Sequence, residues 1–239
     1  VQLQLGNTPA SLKAYNDGLV ISRTLAEADK DNAQAQRDLM ASHYKLGLTR
    51  RAFGDYLESA REFESAAVVL SEMIRRKQLL SFAQPAKKDM EQHAAKMHLM
   101  GIALGEWAPL FEQPPQSLPA LLDSRAIEFA SRKDFVTATQ AAGKLRELDN
   151  ADNGNLYNAA CVFALAAASV QPTEGEELSK QQSEQRQKWI NEAMTTLKQA
   201  VEAGWTDFAH MQKDTDLTIL RELPEFKALG ESDAGEKPE

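Results

Sequence analysis

Small and apolar residues return along this chain at steps of three and four. They do so in Ser11, Tyr15, Gly18, Leu19 and Ala26, and again in Phe63, Ala66, Ala67, Leu70 and Ile74. That spacing lines one face of a 3.6-residue spiral and predicts amphipathic helices. Proline is absent from Ala10 to Gln84, a stretch of 75 residues. Central strands exclude proline as well, so periodicity decides. No run alternates Val, Ile or Thr with polar residues, and no Asn-Gly or Asp-Gly hairpin stands between apolar segments. The expected fold class is all-α.

Punctuation along the chain predicts where the helices begin and end. Asp31-Asn32 offers an N-cap for a helix over about Ala33–Phe53, and Gly54-Asp55 turns the chain into a second that runs to about Gln84. Pro85 suits the first turn of the next, which runs to about Leu104, where Gly105 and Pro109 break it. Further helices are expected near Pro119–Arg132, Asp134–Leu148, Asn155–Val170 and Gln182–Ala203, then short helical pieces to Leu229. Neighbours joined by so few residues must pack antiparallel, as a series of hairpins.

Composition narrows the function classes. The 239 residues are 43% hydrophobic and 26% charged, a globular composition, with 27 basic against 35 acidic side chains. The net charge of −8 argues against a nucleic-acid partner. All of it falls after residue 113: residues 1–113 carry 14 basic and 14 acidic side chains, residues 114–239 carry 13 and 21. The Pro-rich stretch Glu112–Pro119 lies at that change. The sequence therefore reads as a helical unit over 1–113, a second over 114–229 and a flexible tail over 230–239. The single Cys161 excludes an internal disulfide and a thiolate zinc site. No apolar run approaches the ~20 residues that span a bilayer, so membrane insertion is not expected. With neither initiator Met nor signal peptide, Val1 reads as an internal position of a longer protein, and the expected location is the cytoplasm.

The chain repeats itself. Gly6, Ser11 and Tyr15 align with Gly54, Ser59 and Phe63 at a constant offset of 48. A third copy fits Lys133-Asp134-Phe135 with Ala138, Ala142 and Leu145, and a fourth fits Ala193, Leu197, Ala200 and Val201. Leu46-Gly47, Ala126 and Ala160 supply small residues on the preceding helices. In the fourth copy a polar insert over Ser169–Gln187 separates the two helices, residues 86–117 fit no copy, and the first copy has only its second helix.

These positions resemble the tetratricopeptide repeat. Its pattern sets a small residue midway along the first helix, a Gly-Asp-Tyr-like turn, then Ala or Ser, an aromatic and Ala on the second. The resemblance implies a right-handed superhelix of antiparallel hairpins, here closed by an irregular C-terminal helical cap. Arg37-Asp38-Leu39, Leu156–Cys161, Ala200–Trp205, Asp214–Arg221 and Pro224-Glu225-Phe226 look like the C-terminal repeat region of bacterial, eukaryotic-like serine/threonine kinases. That implies the non-catalytic arm of a signalling protein whose full length would be an ATP-dependent kinase.

Catalytic constellations are lacking. No Gly-rich phosphate loop, Val-Ala-Ile-Lys-like strand, His-Arg-Asp, Asp-Phe-Gly or Walker lysine loop occurs, so this stretch is not expected to be an enzyme or to use a cofactor. His93 and His98 are five apart and face different ways on a helix, unlike a zinc pair. Asp149–Gly154 has Ala151 and Ala160 where a calcium loop needs ligands. No metal site is expected. Cys161 reads as a small buried hydrophobe, Asp214-Thr215-Asp216 as a cap before Leu217, Trp205 as a packing anchor, and Arg75-Arg76-Lys77 as a solvated face.

The resemblance implies that first helices line a concave groove holding a protein or peptide. By register its groove positions are Tyr44, Leu48 and Arg51 in the second copy, Asp123 and Ile127 in the third, and Tyr157 and Cys161 in the fourth. Plain packing or solvent exposure is the alternative at each. The alternative function is a structural arm that forms a homodimer or folds onto an upstream kinase domain.

Overall fold

The computed structural model describes residues 8–78, 83–173 and 176–231. Those residues are helical with no strand among them, and consecutive helices pack on one another. They fall into two compact units, Val1–Gly105 and Glu106–Glu239. The division comes ahead of the Pro-rich stretch, which lies inside the second unit.

The first unit holds α1 (Thr8–Ala28), α2 (Ala33–Ala52), α3 (Tyr56–Arg75) and α4 (Ala83–Leu104). Asn32 caps α2 by accepting from the backbone N–H of Gln34 and Ala35. Contacts between α2 and α3 run in opposite directions along the two helices: His43 meets Glu62, Gly47 meets Ser59, and Arg50 meets Asp55. The pair is therefore antiparallel. Its closest approach is at Gly47, where a Cβ would lie 3.2 Å from the Phe63 ring and the carbonyl accepts from the Ser59 hydroxyl at 2.8 Å. Small residues let the two backbones close, and the aromatic fills the groove beside them. Phe63 is fully buried, with the Tyr44 ring edge-on at 5.5 Å and His93 of α4 at 5.2 Å.

Hairpin turns of the two units share one conformation. At Gly54 (φ +79°) the N–H of Gly54 donates to Arg51 and that of Asp55 to Arg50, the six-to-one closure of a Schellman stop. At Lys133 (φ +63°) the same pair of bonds runs to Ala130 and Phe129. Gly204 (φ +98°) ends a third helix in this way. Lys77 (φ +56°) ends α3, with Gln78 N–H on the Met73 carbonyl. The Lys77 stop corrects the expected length of α3, which finishes at Arg75 rather than near Gln84. The sequence hides it because Lys, not Gly, holds the left-handed position. The basic cluster beside it is internally neutralised. Arg75 and Arg76 both donate to Glu72, Arg76 also reaches Asp31 at 2.9 Å, and the two guanidiniums pull the Glu72 carboxyl down to about 2.

The second unit begins with α5 (Trp107–Phe111) and a short 3-10 turn over Pro115–Ser117. It continues with α6 (Leu118–Ser131), α7 (Phe135–Arg146), α8 (Asn153–Ser169) and α9 (Lys180–Glu202). Then come α10 (Phe208–Lys213), a second 3-10 turn over Thr215–Leu220, and α11 (Pro224–Glu231). Of the tail, residues 230 and 231 close α11 and the rest lies outside the described residues, as do Gly6 and Asn7 of the first repeat copy. Capping boxes at Asp152–Asn155 and Ser179–Gln182 start α8 and α9. The second starts α9 at Lys180, so the insert between the two helices is shorter than the expected Ser169–Gln187. Helix α8 is the hub: α6, α7, α9 and the second 3-10 turn all pack on it, and Ala159, Ala160, Ala164, Ala166 and Ala167 are fully buried. Leu217, Leu220 and Phe226 of the C-terminal pieces are also fully buried.

Candidate functional site

The seven groove positions separate by unit. In the first, Tyr44 and Leu48 are half-buried and turn inward, onto the cluster of Ala60, Phe63, Ala94 and Met97. Arg51 is exposed. These three line no cavity together. The notable hollow of this unit, about 380 Å³ and bordered by Leu39, Val68, Glu72 and Arg76, contains none of them.

In the second unit, Ile127, Tyr157 and Cys161 border one cavity of about 330 Å³. Helices α6 and α8 bring them there. Ile127 stands one turn before the Lys133 stop and is 46% exposed, while Tyr157 and Cys161 lie four apart on one face of α8. Ala130, Val162 and Leu165 make the wall apolar. The far side is closed by the C-terminal pieces through His210, Asp214 and Asp216. Asp123, one turn before Ile127, is joined to this wall by Asn158, whose amide donates to it at 3.2 Å.

Asp214 is the node of the site. Its Oδ1 accepts from the Asp216 N–H at 2.9 Å and so caps the second 3-10 turn. Its Oδ2 accepts from the Tyr157 hydroxyl at 2.7 Å, lies 3.8 Å from the Cys161 sulfur and 3.4 Å from His210 Nε2. Its carbonyl accepts from Arg221 at 2.8 Å. Trp205 stacks face to face on Tyr157 with ring centroids 4.0 Å apart, and His210 tilts against both rings.

Burial sets the protonation of this wall. Burial and the bond to Asp214 push the Tyr157 phenol far up, so it stays a neutral donor. Burial, then the charges of Asp214 and Asp216, push the Cys161 thiol up as well, which leaves it a poor nucleophile. Asp216 is raised by burial and by Asp214 beside it. Asp123 is raised to about 6 by burial, against the opposing pull of the Asn158 bond and with the charge of Asp152 adding to the rise. No activated nucleophile results, and among the described residues no group of three or more His, Cys, Asp or Glu could hold a metal ion. The arrangement offers an apolar wall, stacked rings and carboxylates with room beside them, which suits binding of a cationic group on an apolar stem.

Sequence reasoning missed His210 and the second role of Asp214, Asp216 and Trp205. The signal was there in part: two carboxylates two apart before an apolar residue mark a cap. Nothing in that pattern says that the cap lies across from Tyr157.

No protein-family model, curated protein or solved structure matches the chain.

Proposed function

We propose that the chain is a non-catalytic protein-interaction module of tetratricopeptide-like hairpins. The reading takes the α6–α8 cavity as the seat for a peptide that presents a basic side chain beside an apolar one. One observation carries it: groove positions from two repeat copies, Ile127 with Tyr157 and Cys161, border a single cavity. Two things support the chemistry of the ligand. The wall is apolar and aromatic, and Asp214 and Asp216 raise each other's burden of negative charge there, a burden that a bound cation relieves. The shared Schellman turns at Gly54 and Lys133 support the repeat itself. The resemblance to kinase repeat arms places this module beside a serine/threonine kinase domain in the full-length protein, and on that reading the peptide comes from a substrate or regulator.

Panning short randomised peptides on the whole chain tests the proposal. Enrichment of Lys or Arg next to an apolar residue is expected, with at least tenfold weaker binding by Asp216→Asn and Ile127→Lys in fluorescence anisotropy. Peptides without a basic residue, or binding indifferent to both substitutions, would refute it.

A further inference from the structure

The offset of 48 that relates α1 to α3 sets Gly18 on Ala66, Ile21 on Val69 and Leu25 on Met73. In α3 these positions are covered. Ala66 and Met73 are fully buried, Val69 is half-buried, and α2 contributes Met40 and Tyr44 to the cluster that holds Ala66. In α1 the same positions are bare. Gly18 has no atom within 4 Å of where a Cβ would stand, Ile21 is 63% exposed and Leu25 is 55% exposed. The neighbouring face of α1, with Leu19 and Ala26, is buried against Ala35, Leu39 and Leu46 of α2, in the way α3 is buried against α4. Helix α1 thus carries the seat for a preceding antiparallel helix, and no described residue fills it.

The spacing on this seat is self-complementary. Ala14, Gly18, Ile21 and Leu25 lie on one stripe, two small residues in its first half and two large ones in its second. When two such stripes run antiparallel, small always meets large, which is how facing helices interdigitate. We propose that the seat is filled by α1 of a second copy. The two helices cross about a two-fold axis near Leu19 and Val20, so that Ala14 faces the partner's Leu25 and Gly18 faces the partner's Ile21. Such a contact is isologous and closes on itself. Asp17, in a pair with Lys13 at 3.0 Å, and Thr24 are exposed on the flank of the stripe and give it a polar rim. The facing segments, Ala14 to Leu25, span about 17 Å of helix. That is short against the ~800 Å² per partner of a standard interface. The dimer is therefore weak, half-formed at roughly 10–100 µM. It uses the first unit alone and is independent of the cavity in the second.

Sedimentation equilibrium of the whole chain from about 1 to 500 µM tests this. A reversible monomer–dimer equilibrium is expected, weakened at least tenfold by Ile21→Asp or Leu25→Asp. Both positions are more than half exposed, so the variants should keep the wild-type circular dichroism and peptide binding. Orientation is read by oxidising a mixture of Ala14→Cys and Leu25→Cys chains, the native Cys161 being buried: the mixed cross-link should outpace either symmetric one. A chain monomeric throughout that range overturns the proposal and gives the seat to a helix of another protein or of a longer form of this one. A dimer unchanged by both Asp variants, or a dominant symmetric cross-link, overturns it equally.

Discussion

Asp123→Asn should make the second unit more stable at neutral pH, although it removes a charge that accepts a hydrogen bond. One oxygen of Asp123 takes the Asn158 amide at 3.2 Å, while Oδ1 is out of contact with solvent and has no partner. Burial raises the carboxyl to about 6, against an ordinary value near 3.8. For a raised acid the sign is fixed. The folded state binds the proton more tightly than the unfolded chain, so the stabilisation is complete below about 4 and is lost as the pH rises through about 6. A shift of that size corresponds to ~3 kcal/mol at most. The group is only partly buried and water screens it, so about 1–2 kcal/mol is the working figure. Asparagine keeps the acceptor for Asn158 and carries no charge, so it removes this cost at pH 7.5 and gains nothing at pH 4.

Scanning calorimetry of wild type and variant across pH 4 to 7.5 reads the difference. The variant should melt about 4–8 °C higher at pH 7.5, given roughly 4 °C per kcal/mol for a unit of this size. The gap should close toward pH 4, where the wild-type carboxyl is neutral in both states. A variant equal to or less stable than wild type at pH 7.5, or a gap that does not vary with pH, refutes the burial argument. A charge held against its own stability, next to a cavity that would welcome a cation, is the pattern expected where binding sets the residue type.

Two further substitutions probe the repeat. Phe63→Ala empties a fully buried ring site against Gly47, Tyr44 and His93 and should cost ~3–5 kcal/mol in denaturant unfolding of the first unit, whereas a loss under about 1 kcal/mol would contradict the packing described. The matched turns make opposite predictions. Lys133→Gly should stabilise by about 0.5–1 kcal/mol, because a side chain at φ +63° is strained, and Gly54→Lys should destabilise by at least as much; urea midpoints moving the same way for both would show that the two turns are not equivalent.

Helix type and order were legible because periodicity and caps are local. Asn32, Asp134 and Asp152 announce starts that the backbone obeys, and Gly54 and Gly204 announce stops. The end of α3 was not legible. Lys77 takes a left-handed conformation that the sequence does not advertise, and Ile74, Leu79 and Leu80 continue an apolar pattern past it. The groove positions were legible only as a register. Tyr44 and Ile127 hold nominally similar places on first helices, yet Tyr44 packs on Phe63 and Ile127 borders a cavity. What separates them is a contact from a segment far along the chain, and single-sequence periodicity carries no information about that.

Asp214 shows how such a site can arise from an ordinary structural residue. A carboxylate before Leu217 is required to start the 3-10 turn, and one oxygen suffices for the Asp216 N–H. The second oxygen then has capacity left over. The turn packs on α8, so that oxygen is delivered to Tyr157 and Cys161, where burial keeps both neutral. A cap thereby becomes the negative end of a cavity with no residue spent on that alone. It follows that Asp214 is the wrong place to test binding, since its loss would free the 3-10 turn as well as the charge. Asp216 carries the same sign at the cavity edge, and its side chain has no part in the cap. Any ligand that answers to the charge of this wall must therefore answer to Asp216→Asn while the C-terminal pieces stay folded.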